Sequence, residues 1–160
     1  MTQPTTDTQT LTEASGSAAA DPVELIGSLA RAGRAAQSRL ARLSGPEKAK
    51  ALQLAAASLR GAEAEILAAN ARDVASARDA GLTDALLDRL TLDAERIEGV
   101  ASAVEAVALL PDPVGQKIDR TERPNGLVLE RVRVPIGLLG IIYESRPNVT
   151  ADAAALCVRA

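Results

Sequence analysis

The polar turn Tyr143-Glu144-Ser145-Arg146-Pro147-Asn148 is the one dense cluster of chemistry-bearing side chains that stands beside an apolar run in this sequence. Arg146 carries a planar fork of donors that suits a phosphate or a carboxylate. Asn148 can donate an amide N–H to a developing oxyanion, or cap a helix through its side-chain oxygen. An Ala-rich helix follows directly, and its N-terminus favours an anion. In the plainer reading Glu144 and Arg146 pair with each other and Asn148 only starts the helix; spacing leaves both readings open. Turns of this kind, at the carboxyl end of a buried strand, are where α/β proteins hold ligands.

The other candidates carry less. Cys157 has the apolar neighbours Ala155, Leu156, Val158 and Ala160, and the chain has no His to act as its base. It is expected to be a small buried hydrophobe and not a nucleophile. Gly137 and Gly140 lie inside an apparent strand, so they make no phosphate loop. The acids between Glu63 and Asp88 read as solvated helix faces with partners one turn away. No His and one Cys exclude a Cys/His zinc site and an internal disulfide, so no metal site is expected. A net charge of −3 with interleaved signs excludes a general nucleic-acid binder.

The elements that must position this turn are mostly helical. Residues 1–20 hold almost no large apolar side chain and no Lys or Arg. They read as a disordered tail, neither signal nor transit peptide. Asp21-Pro22-Val23-Glu24 starts a helix with Val23, Ile26, Leu29, Gly33, Ala36, Leu40 and Leu43 on one stripe. Ser44-Gly45-Pro46-Glu47 is a capping box opening a second, with Leu52, Ala55, Ala56 and Leu59 on one face. A third helix runs from near Ala62 to Ala80 with Gly81 as its C-cap. Thr83 caps a short fourth ending near Leu90, and Thr91 or Asp93 starts a fifth striped by Ile97, Val100, Ala101, Val104 and Val107.

Pro111 and Pro113 end the helical half. Arg123-Pro124-Asn125-Gly126 is a turn signal, and side-chain character alternates over residues 127–134, giving a hairpin or arm. Residues 136–143 form a continuous apolar run, expected as a strand covered on both faces. This run is too short and too broken by glycine to span a bilayer. Tail, helices, β-arm, strand and helix form the opening of an α/β protein. The last helix reaches only about three turns by Ala160, so the sequence reads as the beginning of something larger.

Val134-Pro135-Ile136-Gly137, Tyr143-Glu144-Ser145-Arg146-Pro147-Asn148-Val149-Thr150 and Asp152-Ala153-Ala154-Ala155-Leu156-Cys157 resemble glutamate-5-semialdehyde dehydrogenase. This enzyme family, also called gamma-glutamyl phosphate reductase, lies in the aldehyde dehydrogenase superfamily. Ile66-Leu67-Ala68-Ala69-Asn70-Ala71, Ala80-Gly81-Leu82, the segment Ala85-Leu86-Leu87-Asp88-Arg89-Leu90-Thr91-Leu92, Leu110-Pro111-Asp112-Pro113-Val114-Gly115 and Arg123-Pro124-Asn125-Gly126-Leu127 match as well. The likeness covers residues 23–160.

The resemblance implies an enzyme of proline biosynthesis that uses NADPH to reduce L-glutamyl 5-phosphate to L-glutamate 5-semialdehyde and phosphate. It implies that a cysteine thiolate attacks the acyl phosphate and that the resulting thioester accepts hydride; splitting the reaction this way lowers each barrier. That cysteine lies downstream of Ala160 in the family, so no catalytic residue is expected within these 160 residues and the chain alone is expected to be inactive. The implied fold is α/β: the N-terminal helical part of an aldehyde-dehydrogenase-like Rossmann cofactor domain plus a β-arm, truncated. Residues 21–110 would be helical cofactor domain, 111–134 an arm for subunit association in a homo-oligomer, and 135–160 strand, turn and helix. Tyr143, Glu144, Ser145, Arg146, Pro147 and Asn148 would lie at the cofactor and substrate cleft of a cytoplasmic enzyme. The alternative is a stand-alone helical interaction module derived from such an enzyme, without membrane or nucleic-acid partners.

Overall fold

The computed structural model describes residues 21–160; the tail expected over residues 1–20 lies outside the described residues. Six helices and one two-stranded sheet follow in the order α1 Pro22–Leu40, α2 Gly45–Gly61, α3 Glu63–Asp79, α4 Asp84–Leu90, α5 Ala94–Leu109, β1 Lys117–Glu122, β2 Val128–Val132 and α6 Asn148–Arg159. Local chemistry accounts for most boundaries. Asp21 accepts from the Val23 N–H at 3.0 Å, with Pro22 opening α1. In α2 the Ser44 and Glu47 side chains each accept from the other's backbone N–H. Gly81 takes φ +78° just past α3, a conformation open to glycine at no steric cost. Asp93, not Thr91, caps α5 by accepting from the Arg96 N–H at 2.7 Å.

The core lies where α2, α5 and α6 meet, and it is built from small side chains. Leu52, Ala56, Ala101, Val104, Ala108 and Ala155 are buried together, with Ala49, Leu59, Val107, Ala151 and Val158 packed at the margin. Alanine facing alanine lets the helix axes come close, so density is gained without aromatic bulk. Two polar groups are buried at the edge of this core. Lys48, only 3% exposed, lies 3.1 Å from Asp112. Arg159 donates to Leu110 O through Nε at 2.7 Å and through Nη2, and to Gly45 O through Nη1 at 2.9 Å. It thereby ties the end of α6 to the end of α5 and the start of α2.

A second polar clamp lies between α3 and α5. The buried Asn70 donates to Leu90 O at 2.8 Å and accepts from the Leu92 N–H at 2.7 Å, holding the α4–α5 connection. On the outer surface Arg60 of α2 bonds Glu98 at 2.7 Å and Glu105 at 2.6 Å on α5.

The hairpin forms as expected. β1 and β2 pair antiparallel, with Asp119 opposite Arg131 and Glu122 opposite Val128, and an irregularity between Lys117 and Asp119. Gly126, at φ +81°, turns the chain, and every strand residue is exposed.

Three expectations fail. Residues 136–143 form no strand, because a strand exists only through ladder partners and none of the described residues pairs with them. The α1 stripe is not buried: Val23 is 79% exposed, and Ile26 and Leu29 also face out. Only its later part meets the chain, where Leu138 rests on Gly33; a Cβ there would stand 2.6 Å from Leu138 Cδ1. Cys157 is exposed, not buried. It follows Ala155 by two residues, about 200° around the helix, and so faces away from the core. The α/β class holds in the coarse sense of helices with a small sheet.

Ala101→Leu forces three extra carbons into a fully buried helix contact and is expected to cost about 1–3 kcal/mol, read by chemical denaturation. Acid should weaken the α2–α5 pair. The side-chain hydrogen bond from Arg60, then that from Ser102, holds the Glu98 carboxyl at about 2, below its ordinary value of 4.5. The unfolded chain therefore binds more protons, and this contribution is complete above about 4.5 and lost as pH falls toward about 2. Arg60→Met should flatten that part of the pH–stability curve, and added salt should shrink the difference.

Candidate functional site

The turn of residues 143–148 enters α6, and the Ala155 face of α6 fixes where it sits by packing on α2 and α5. Ser145 stands at φ +51°, in the left-handed region that non-glycine residues enter at a cost. That conformation reverses the chain within the turn. The Tyr143 hydroxyl closes it by pairing with Thr150 Oγ1 at 2.5 Å, across the first turn of α6. The Val149 N–H donates to Arg146 O at 3.1 Å.

The six residues differ in what they present. Tyr143, Glu144 and Arg146 are exposed, while Ser145 and Pro147 are half-buried. Among the described residues neither Glu144 nor Arg146 forms an ion pair, so the plain local-pair reading does not hold. Asn148 does not cap the helix either. Pro147 occupies the N-cap position without a side-chain bond, and Asn148 Nδ2 donates to Asp152 Oδ2 at 2.9 Å, one turn on. No side chain therefore caps the helix start, and the Arg146 guanidinium lies beside it in sequence.

Two hollows meet at this turn. One is an apolar groove of about 620 Å³ between α2, α3, α5 and α6, lined by residues such as Leu52, Leu59, Leu92, Ile97 and Val104 and reached by Pro147 and Asn148. Its size falls in the range of small-molecule sites. The other is a polar hollow of about 410 Å³ lined by Asp88, Arg89, Arg96, Asn148 and Asp152. Arg96 is held there by Asp88 Oδ1 at 2.8 Å and Thr91 O at 2.7 Å, and the Asp88 bond raises its pKa further. Asn148 alone of the six turn residues borders both hollows.

Sequence reasoning missed Thr150, Asp152 and the groove. The Asn148–Asp152 spacing of four residues was a usable signal, because such pairs face each other on a helix. The groove had none, since its walls come from four helices separated in sequence, α2, α3, α5 and α6. Among the described residues no group of His, Cys, Asp and Glu is arranged to hold a metal ion, and no helix is long and apolar enough to cross a membrane.

No family model matches the chain. It is 63% identical over 136 residues to the gamma-glutamyl phosphate reductase of Novosphingobium aromaticivorans, covering 85% of this chain and 32% of that protein. It is 60% identical over 149 residues to that of Rhizorhabdus wittichii, covering 93% and 35%. The crystal structure of gamma-glutamyl phosphate reductase from Thermotoga maritima superposes with a TM-score of 0.80 at 44% identity, over 84% of this chain and 32% of that one. The Saccharomyces cerevisiae enzyme gives 0.77 at 34% identity, over 82% and 34%. Sequence and fold thus agree in relating this chain to the gamma-glutamyl phosphate reductases, and it spans about a third of the length of the relatives it matches.

Ser145→Gly tests the turn. It relieves about 1–2 kcal/mol of left-handed strain against about 0.5–1 kcal/mol of added chain entropy in the unfolded state. Stability is expected to hold or rise by up to about 1.5 kcal/mol, whereas Ser145→Val should lower it; thermal melts of the two variants decide.

Proposed function

We propose, from its likeness to gamma-glutamyl phosphate reductases, that this chain supplies part of the cleft in which L-glutamyl 5-phosphate is reduced to L-glutamate 5-semialdehyde and phosphate, a step of proline biosynthesis. The observation that carries this reading is the left-handed turn of residues 143–148, set at a helix start that no side chain caps, where an apolar and a polar hollow meet. Arg146 and the α6 N-terminus fit a phosphate group, which substrate and nucleotide both carry. The apolar groove suits a ring or an aliphatic stem. The residues present therefore fit NADPH, which supplies the hydride when bound. Glu144 and Arg146 would orient the charged ends of the ligands, and Asn148 would place its amide beside them. The region belongs, on this reading, to a Rossmann-like cofactor domain, with residues 111–134 as an arm for association into a homo-oligomer in the cytoplasm.

No described residue is a nucleophile with an activating base, so the chain by itself is expected to show no turnover. Activity is expected when it replaces the matching residues of the Novosphingobium aromaticivorans reductase. Phosphate-dependent oxidation of the semialdehyde, followed as NADPH absorbance, reads the same reaction in reverse. In that hybrid Arg146→Ala should raise KM for phosphate at least about tenfold, the loss of a charge-assisted bond of about 1.5–3 kcal/mol. A folded hybrid without activity, or an unchanged KM, would sink the reading.

A further inference from the structure

The polar hollow beside the turn holds a charge pattern that the phosphate and hydride chemistry does not use. Its volume of about 410 Å³ lies in the range of small-molecule sites. Asp88 and Arg89 of α4, Arg96 of α5 and Asp152 of α6 are its charged residues. Two of them pair with each other: Arg96 Nη2 donates to Asp88 Oδ1 at 2.8 Å, and Arg96 Nη1 donates to Thr91 O at 2.7 Å. Arg89 and Asp152 remain. Neither forms an ion pair among the described residues. One positive and one negative charge therefore line the same hollow from two different helices without joining.

Each charge taken alone has a plain account. Arg89 stands in the last turn of α4, where a cation is favoured, and the half-buried Asp152 receives the Asn148 amide on Oδ2 at 2.9 Å. The plain account does not explain why both border one hollow, with the apolar Val100 and Ala103 of α5 beside them. Opposite charges held apart select a zwitterion. Such a ligand satisfies both groups, whereas a simple anion or cation satisfies one and is repelled by the other.

We propose that this hollow is the subsite for the amino-acid end of the substrate, where the Arg89 guanidinium takes the α-carboxylate and the Asp152 carboxylate takes the α-ammonium. The proposal rests on the reductase reading above and deepens it. Asn148 borders both hollows, and Asp152 lies four residues beyond it, about 6 Å along the axis of α6. A molecule with its reacting end at the turn and a short aliphatic stem brings its far end to Asp152 and Arg89. The two ends are then read by different groups: Arg146 and the helix start at the phosphate, Arg89 and Asp152 at the amino acid.

The test uses the hybrid with the Novosphingobium aromaticivorans reductase and measures kcat/KM for aldehyde oxidation. Glutamate semialdehyde is compared with 5-oxopentanoate, which lacks the ammonium, and with pentanal, which lacks both charged groups. Asp152→Asn, which can still accept the Asn148 amide, should lower kcat/KM for glutamate semialdehyde about tenfold or more and leave the other two unchanged. Arg89→Met should lower it about tenfold or more for both carboxylate-bearing aldehydes and leave pentanal unchanged, and Arg89→Lys should recover part of the loss. KM for phosphate should not move in any of these variants. An active hybrid whose variants keep the parent's kcat/KM for glutamate semialdehyde overturns the proposal and leaves the reductase reading standing. Equal losses for all three aldehydes also overturn it, because Asp152 and Arg89 then act only through Asn148 or the fold. The expected aldehyde pattern with an unaffected Arg146→Ala keeps the subsite while the reading above falls. A folded hybrid without turnover is titrated with L-glutamate by calorimetry: binding that Arg89→Met weakens about tenfold upholds the subsite, and no binding overturns it.

Discussion

The position of everything in this chain that resembles a site depends on the Arg159 clasp. One guanidinium gathers the Leu110 carbonyl at the end of α5 and the Gly45 carbonyl at the start of α2. Lys48 and Asp112 neutralise each other beside it. Burial raises the Asp112 carboxyl, but the Val114 N–H and the Lys48 ammonium outweigh burial and hold it below its ordinary value. α6 extends from this knot for twelve residues, about 18 Å at 1.5 Å per residue. The turn of residues 143–148 sits at its far end, so a small change of angle at Arg159 becomes a large displacement at Asn148. The alanine contacts of α2, α5 and α6 hold that lever flat, since a face without long side chains has little room to rock.

Local features were readable in the sequence to the extent that their causes are local. The Ser44–Glu47 box, Asp21 with Pro22, Asp93 and Gly81 each act within a few residues, and each stands where reading placed it. The stripes of α2 and α5 were equally legible because both find a partner helix. The α1 stripe has the same periodicity and remains largely outside. Periodicity reports that a helix has an apolar side, and tertiary structure decides whether anything meets it. The same argument covers residues 136–143, whose strand character is a property of a ladder and not of a segment.

The candidate site was legible as a list of residues and illegible as an arrangement. Its polar turn stood out against an apolar run, and two local roles were weighed for it beside the ligand-binding ones. Neither the Glu144–Arg146 pair nor the Asn148 cap formed, since Asp152 takes the Asn148 amide. The two hollows depend on contacts between residues as distant in sequence as Leu52 and Asn148, which no spacing rule reaches. Asn70 is a related case. Its place in a segment resembling the reductases was visible, but its work, satisfying two backbone groups of the α4–α5 connection, appears only once Leu90 and Leu92 are brought to it.

A core of alanine, leucine, isoleucine and valine also leaves the molecule optically simple. With no Trp or Phe, Tyr143 is its only aromatic residue, and it lies in the turn with its hydroxyl against Thr150. Near-ultraviolet absorbance and intrinsic fluorescence therefore report from one point, the turn that leads into α6, and are silent about the other helices. Far-ultraviolet dichroism reports the helices and is almost silent about the turn. The two signals divide the protein along the same line that separates its scaffold from its chemistry.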